Sequence, residues 1–344
     1  MSNKVVIVGS GNAALSAGIA SLEKGSDVTI YEKADKKMSG GNTKYTAGAM
    51  RFSYESGDQL IGLLENPNDE RIKDTDFGSY TQENFKSDLL SFNDGRPLSW
   101  EQEILVSKSL ETIQWLSSHN VKFEPIYSRQ SFLKDGKHIF WGGLTLAAEN
   151  EGVGLFDQEL AAFLSLGGKI FYESPVTNLL LKENKVTGIY VGDKKIEADA
   201  VILASGGFEA NNNLRKSFIG DNWLKAKVRG TPHNTGDGLR MALEIGAIKH
   251  GLYGGCHATP MDLHMKDYGG LDLEPKERKN YRKICYFLGI MINAKGQRFL
   301  DEGKNFRNYT YAQYGRKVLE QPGHFAWQIF DSKVFDLLYE EYRF

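Results

Sequence analysis

The run QRFLDEGKNFRNYTY places Arg298, Asp301, Glu302 and Arg307 close together, directly after the apolar, strand-like stretch FLGIMIN. A guanidinium offers a planar fork of donors that grips a carboxylate bidentately. It is a poor general base, because its pKa stays above about 12. Arg307, set among aromatic residues, therefore reads as a side chain that binds and polarises an anionic substrate. The plainer alternative is an ion pair with Glu302. Which reading holds depends on what the rest of the chain binds.

The chain opens on a motif that answers part of this. KVVIV, Lys4–Val8, is short, β-branched and followed by glycine, as a buried strand is. Gly9-Ser10-Gly11-Asn12-Ala13-Ala14 then opens a helix running to about Lys24. DVTIY, Asp27–Tyr31, is a second strand, and Glu32 ends it, 23 residues after Gly9. This is the dinucleotide fingerprint in its full βαβ context. Gly9 permits the tight turn, Gly11 lets a pyrophosphate approach the helix N-terminus, and Ala14 takes the small packing position. Glu32 can accept from the hydroxyls of an adenosine ribose. A second small-residue loop, SGGNTKYTAGA (Ser39–Ala49), follows where a nicotinamide domain would continue with another βαβ unit. A β-meander is expected from about Lys169 to Ala198, turning at Gly192-Asp193, before the buried strand and glycines of AVILASGGF. A Rossmann half split by a meander points to a flavin dinucleotide, FAD. The fold class expected is α/β: a Rossmann-like FAD-binding domain with a meander, plus an α+β capping domain.

Composition sets the frame. At 344 residues two domains are expected, and a net charge of −2 gives no field for nucleic acid or an anionic membrane. Basic residues are scattered rather than patched. Cys256 and Cys285 form neither a CxxC nor a zinc spacing, so two reduced thiols in a cytoplasmic protein are expected, with no metal. Residues 52 to 150 read as a largely helical insertion. Within it, residues 100–119 form an amphipathic helix with Ile104, Leu105, Leu110, Ile113 and Leu116 toward the core.

The segments GSGNAAL, GGNTKYT, VILASGGFEAN, TGDGLRMALEIGA, GCHATP and RFLDEGKNFRNYTYAQYGR together resemble the fumarate reductase and succinate dehydrogenase flavoproteins. NFRNYTYAQYGR is most similar to the tricarballylate-oxidising branch of that family. The resemblance implies FAD contacts at Ala13, Glu32, Asn42, Thr43, Gly48, Val176 and Asp237. It implies non-covalent FAD, since Asn42 stands where covalently attaching members carry histidine. It implies that His257 binds a substrate carboxylate, behind Gly254 and Gly255, although the order is His-Ala-Thr rather than His-Pro-Thr. The alternative for His257 is a half-buried ring satisfied by backbone. The resemblance also gives Arg307 the proton-transfer role, with its spacing from Glu302 one residue longer than in fumarate reductases. Arg298, the competing candidate, reads more as packing. Arg51 and Arg282 are further candidate anion contacts, and Gly142 and Gly143 candidate neighbours of the flavin.

The function these features imply is oxidation of a tricarboxylate CH–CH bond to an alkene, tricarballylate to cis-aconitate. Electrons would leave through a separate membrane-bound iron–sulfur protein. Alternatives are a fumarate reductase-like or 3-ketosteroid dehydrogenase-like flavoenzyme, or an inactive flavin-binding remnant. Fumarate reduction is disfavoured because residues 280–286 lack the glutamate of the reductases' proton relay. Domains are expected at 1–254, binding FAD, and 255–344, a capping domain. The last residues, 336–344, read as mid-helix, so the capping domain is expected to be incomplete.

Overall fold

The computed structural model describes residues 2–93, 95–268, 277 and 280–343. The chain divides into two compact units. One comprises Met1–Ser174, Lys182–Gly188 and Ile196–Ala204; the other comprises Pro175–Leu181, Ile189–Lys195 and Ser205–Phe344. The expected boundary near residue 254 falls inside the second unit.

The first unit is built on a four-stranded parallel sheet in the order Ala200–Leu203, Lys4–Val8, Asp27–Tyr31, Lys169–Phe171. Val5 to Val8 are all buried, as a strand covered on both faces requires. Val6 lies opposite both Val201 and Thr29, and Ile30 opposite Ile170. The meander expected from Lys169 thus begins later. Lys169–Phe171 directly follows the helix Glu151–Ser165 and returns to the parallel sheet as the end of a crossover. The meander itself is Val176–Lys182, Lys185–Val191 and Lys194–Glu197, with its turn at Gly192-Asp193. The division between the units runs through it.

The helix Asn12–Glu23 buries Ala14, Leu15, Gly18 and Ile19. Gly18 admits the neighbouring helix Glu151–Ser165: a Cβ there would stand 2.7 Å from the Phe163 ring. Residues 52–150 contain helices, including Gln82–Phe92 and Trp100–Ser118, and several short strands. Capping boxes at Thr81/Asn84 and Ser99/Gln102 start those two helices. In Trp100–Ser118 the buried stripe is Val106, Ser109, Ile113 and Leu116, at alternating spacings of three and four. Ile104 and Leu105, expected on the core face, fall beside that stripe and stay exposed.

In the second unit the strand Gly289–Ile292 pairs antiparallel with Trp327–Phe330. Ile284, Tyr286, Met291 and Tyr314 form the core beside them. The terminal residues are not mid-helix, as the sequence suggested. They form two short 3-10 turns, Ser332–Leu337 and Glu340–Tyr342. Long-range bonds hold them in place of a helical ladder: the Cys285 N–H donates to Tyr342 Oη, which donates to Gln328, and Lys283 reaches the Glu341 carbonyl.

Candidate active site

In the first unit the glycine motif forms a cradle. Gly9 holds φ +98° and its N–H donates to the Tyr31 carbonyl at 2.9 Å. Gly11 precedes the helix and, lacking a side chain, does not itself cap that end. A Cβ on Gly11 would stand 3.3 Å from Thr43 Oγ1 and 3.4 Å from the Gly40 carbonyl, narrowing the cradle. Ala13 is exposed beside it and Ala14 is buried beneath. The second glycine loop closes against the first. Thr43 Oγ1 accepts from the Asn12 N–H at 2.9 Å, and Asn42 and Thr43 lie on the 3-10 turn Gly41–Tyr45. Gly48 holds φ +65°, against the backbone of Glu151.

Glu32 is buried at the end of the second strand. Its carboxylate accepts from Ser10 Oγ at 2.6 Å and from the Ala34 N–H at 2.8 Å. Ser10 in turn accepts from the Gly40 N–H at 3.0 Å, so one acid orders both loops. A carboxylate has about four acceptor positions, which leaves capacity for ribose hydroxyls. A helix N-terminus led by glycine, a cradle a Cβ would narrow and an acid with spare acceptors fit a dinucleotide.

Arg51, directly after this loop, is engaged locally. Its Nη1 donates to Tyr80 Oη at 2.7 Å and to Asp88 at 3.1 Å. Gly142 and Gly143 both have positive φ, and a Cβ on Gly143 would meet the Arg51 guanidinium at 2.6 Å. Gly143 makes room for that arginine, while Gly142 lies against Ser79 and Tyr80.

The second unit holds the remaining residues. Val176 is buried at the start of its meander strand, and Asp237 starts the helix Asp237–Glu244, accepting from Thr235 Oγ1 at 3.0 Å. Arg240 of that helix donates to the Thr177 carbonyl at 2.7 Å, fixing the two positions near each other.

Arg307 is buried at the first turn of the helix Arg307–Leu319. Its guanidinium lies 5.8 Å from the ring centroids of both Tyr311 and Tyr339. His257 packs edge-on against the same Tyr311 ring at 5.2 Å, so the structure gathers both catalytic candidates around one tyrosine. The loop carrying His257 is strapped to the helix: the Ala258 N–H donates to the Ala312 carbonyl at 2.8 Å, and the Gly315 N–H to the Ala258 carbonyl at 2.9 Å. His257 is open to solvent, yet surrounding protein desolvates its charged form and Arg229 repels it, so its pKa is lowered. The ring is therefore neutral at neutral pH. Tyr286, nearby, has its phenol pushed up to about 12 by burial, against the hydrogen bond to Thr310 at 2.6 Å and the charge of Arg307.

The structure separates the two arginines of the opening motif. Glu302 is buried and takes Arg298 through both its Nε and Nη2, together with the Met291 N–H at 2.6 Å. Burial raises the Glu302 pKa, but these donors outweigh it and the net shift is downward. Glu302 thus pins the loop to the strand, and Arg307 follows at the helix start. Arg282 forms a β-bridge with Met261.

Two residues with clear roles went unnoticed in the sequence. Gly315 has no signature distinguishing it from any helical glycine. Glu159 does: it interrupts the buried stripe Leu155, Phe156, Ala162, Phe163, and a carboxylate at a core position is a signal in itself.

A parallel sheet with this cradle, followed by a meander, defines a dinucleotide-binding flavoprotein fold. The chain belongs to the FAD binding domain family, whose model it matches over residues 4–336, and its cofactor is FAD. It is 28% identical over 337 residues to the fumarate reductase (cytochrome) of Shewanella frigidimarina, covering 96% of this chain and 52% of that protein. It is 24% identical to the vinyl phenol reductase of Lactiplantibacillus plantarum, covering 90% of this chain and 58% of that one. The fold matches the open conformation of a flavocytochrome c3 fumarate reductase with a TM-score of 0.68 at 24% identity, covering 98% of this chain and 54% of the other. It also matches the 3-ketosteroid delta1-dehydrogenase of Sterolibacterium denitrificans, TM-score 0.70 at 18% identity, covering 96% and 69%. The chain spans about half the length of the first curated relatives it matches. Among the described residues no helix is long and apolar enough to cross a membrane.

Proposed function

We propose that this chain is the flavin-binding and substrate-polarising part of an FAD-dependent oxidoreductase acting on a carbon–carbon bond beside carboxylates. Its finer assignment is oxidation of tricarballylate to cis-aconitate. The observation that carries this is the convergence of buried Arg307 and neutral His257 on Tyr311. Bound FAD supplies a two-electron hydride acceptor. Gly9, Gly11, Ala13 and Thr43 line the pyrophosphate cradle, while Glu32 serves the ribose; Asn42, Gly48, Val176 and Asp237 are the other proposed cofactor contacts.

On this reading Arg307 grips one carboxylate and draws electron density from the adjacent carbon, which makes its proton more acidic. His257, uncharged, donates a hydrogen bond to a second carboxylate. The proton role of Arg307 rests on family resemblance alone. A carboxylate substrate favours this reading over a steroid, whose apolar rings have no use for a buried guanidinium. The named fumarate reductase relatives support the reaction class, and the reading extends to a separate iron–sulfur electron acceptor.

The test is an anaerobic visible spectrum of the FAD-loaded chain before and after tricarballylate, with succinate and a 3-ketosteroid as comparisons. Bleaching by tricarballylate alone is the expected result. Bleaching by the steroid alone would overturn the carboxylate assignment. Bound flavin that stays oxidised with all three would show that this chain by itself is not a dehydrogenase.

A further inference from the structure

Glu159 has no part in the chemistry above, yet it is wholly buried, between the helix Glu151–Ser165 that carries it and the first turn of the cofactor helix. Ser16 Oγ donates to its Oε1 at 2.8 Å. The near atom of the Asn12 amide lies 2.8 Å from Oε1 and 3.1 Å from Oε2. Asn12 is the first residue of the cofactor helix, and its own N–H is held by Thr43 of the second glycine loop. The carboxyl therefore touches the residue that joins both halves of the pyrophosphate cradle.

The Asn12 amide fits this geometry in two ways. With Oδ1 toward Glu159, the carboxyl must be protonated and donate its O–H, and Nδ2 then faces only other donors. With Nδ2 toward Glu159, the carboxyl is ionised and accepts. Among the described residues no ion pair holds Glu159, and the positive end of the cofactor helix is the neighbouring influence that favours its ionised form. The cofactor helix has Glu23 as its single ionisable residue, at the far end, bound to Trp115 and His119. Lys44 of the turn Gly41–Tyr45 stands over the Phe156 ring, 4.4 Å from its centroid. Glu151 and Asp157 share the helix of Glu159, and the adjoining strand Leu146–Ala148 has no ionisable residue. Burial pushes the carboxyl up to about 8, against the Ser16 hydrogen bond.

We propose that Glu159 is a proton-sensitive positioning residue for the FAD pyrophosphate. Protonated, it donates to Asn12 Oδ1 and turns Nδ2 away, leaving an amide donor beside the cradle. Ionised, it takes Nδ2 for itself and places a buried negative charge beneath two phosphates. Both effects disfavour the anionic cofactor. By linkage, bound FAD raises the Glu159 pKa above its free value. Affinity is then full below that free value and is lost as pH rises from it toward the bound value. Each unit between the two corresponds to about a tenfold loss.

The experiment titrates FAD into the whole chain by flavin fluorescence from pH 6 to pH 9.5, for the wild type and for Glu159→Gln. Gln keeps the shape and donates permanently to Asn12 Oδ1. The wild type is expected to lose affinity about tenfold above pH 8, while E159Q holds its low-pH affinity throughout. Infrared spectra of the FAD-free chain supply a second readout: a protonated carboxyl band at pH 7 that E159Q lacks and that titrates near pH 8. Parallel pH profiles in both proteins would overturn the proposal, as would the absence of that band. Absence of FAD binding at pH 6, with the band present, would overturn the cofactor role while leaving the protonation state established.

Discussion

Replacing Gly315 with alanine sets two physical expectations against each other. The residue lies inside the helix Arg307–Leu319, where exchanging glycine for alanine normally stabilises by about 1 kcal/mol. Here a Cβ would stand 2.5 Å from the Ala258 carbonyl carbon, 2.6 Å from its oxygen and 2.7 Å from the Thr259 nitrogen. Those are backbone atoms and cannot rotate away. Restoring ordinary contact at 3.4 Å needs a shift of about 1 Å in the loop. That shift breaks the two bonds that strap the loop down, Ala258 N–H to Ala312 and Gly315 N–H to Ala258. At about 0.5–1.5 kcal/mol each, their loss costs about 1–3 kcal/mol and outweighs the propensity gain. A net destabilisation of up to about 2 kcal/mol is expected, measured as a lowered urea midpoint. The local consequence is sharper. His257 adjoins the displaced residues, so its ring leaves Tyr311 and gains water. Its pKa, lowered by desolvation and by Arg229, should rise toward the ordinary histidine value. An NMR titration of the His257 ring measures this directly. A more stable G315A protein with an unchanged His257 titration would refute the argument that this glycine exists to seat the loop.

Three further substitutions test neighbouring links. Arg307→Lys keeps the charge but loses the planar fork, so calorimetry on the FAD-loaded chain should show tricarballylate affinity falling about tenfold to a hundredfold with FAD affinity unchanged; equal tricarballylate binding would remove Arg307 from the site. Glu32→Gln weakens an acceptor that also orders Ser10 and Ala34, and should raise the FAD dissociation constant about 5- to 30-fold, corresponding to about 1–2 kcal/mol, while FMN, which lacks the adenosine ribose, is less affected. Glu302→Ala leaves the buried Met291 N–H without its acceptor and should cost about 2–4 kcal/mol in chemical denaturation, whereas Glu302→Gln should cost about 1 kcal/mol, because the Arg298 side chain is 54% exposed and its ion pair is screened; equal losses would mean the ion pair, not the backbone bond, holds the loop.

What could be read without the structure follows from where the information lies along the chain. The strands Lys4–Val8 and Asp27–Tyr31 were legible because pattern, glycine turn and terminal acid all fall within one short segment and agree. Lys169–Phe171 was not, because three residues of KIF carry no periodicity and only the parallel partner Asp27–Tyr31 decides which sheet they join. The terminal residues failed for the same reason: apolar and acidic residues at helix-like spacing gave way to bonds with Cys285, Gln328 and Lys283, all distant in sequence. The candidate site divides along the same line. Arg307 could be singled out by its residue type, but its separation from Arg298 depends on Glu302 being buried under Met291 and already occupied. His257 could be named, yet what seats it is a glycine in another element. Glu159 shows where a stricter reading would have gone further. A carboxylate at a core position of an amphipathic helix conflicts with its own local pattern, and such conflicts concentrate where a fold serves a ligand. Its partner, Asn12, sits inside the motif that names the cofactor, so the conflict and the motif describe one arrangement seen from two helices.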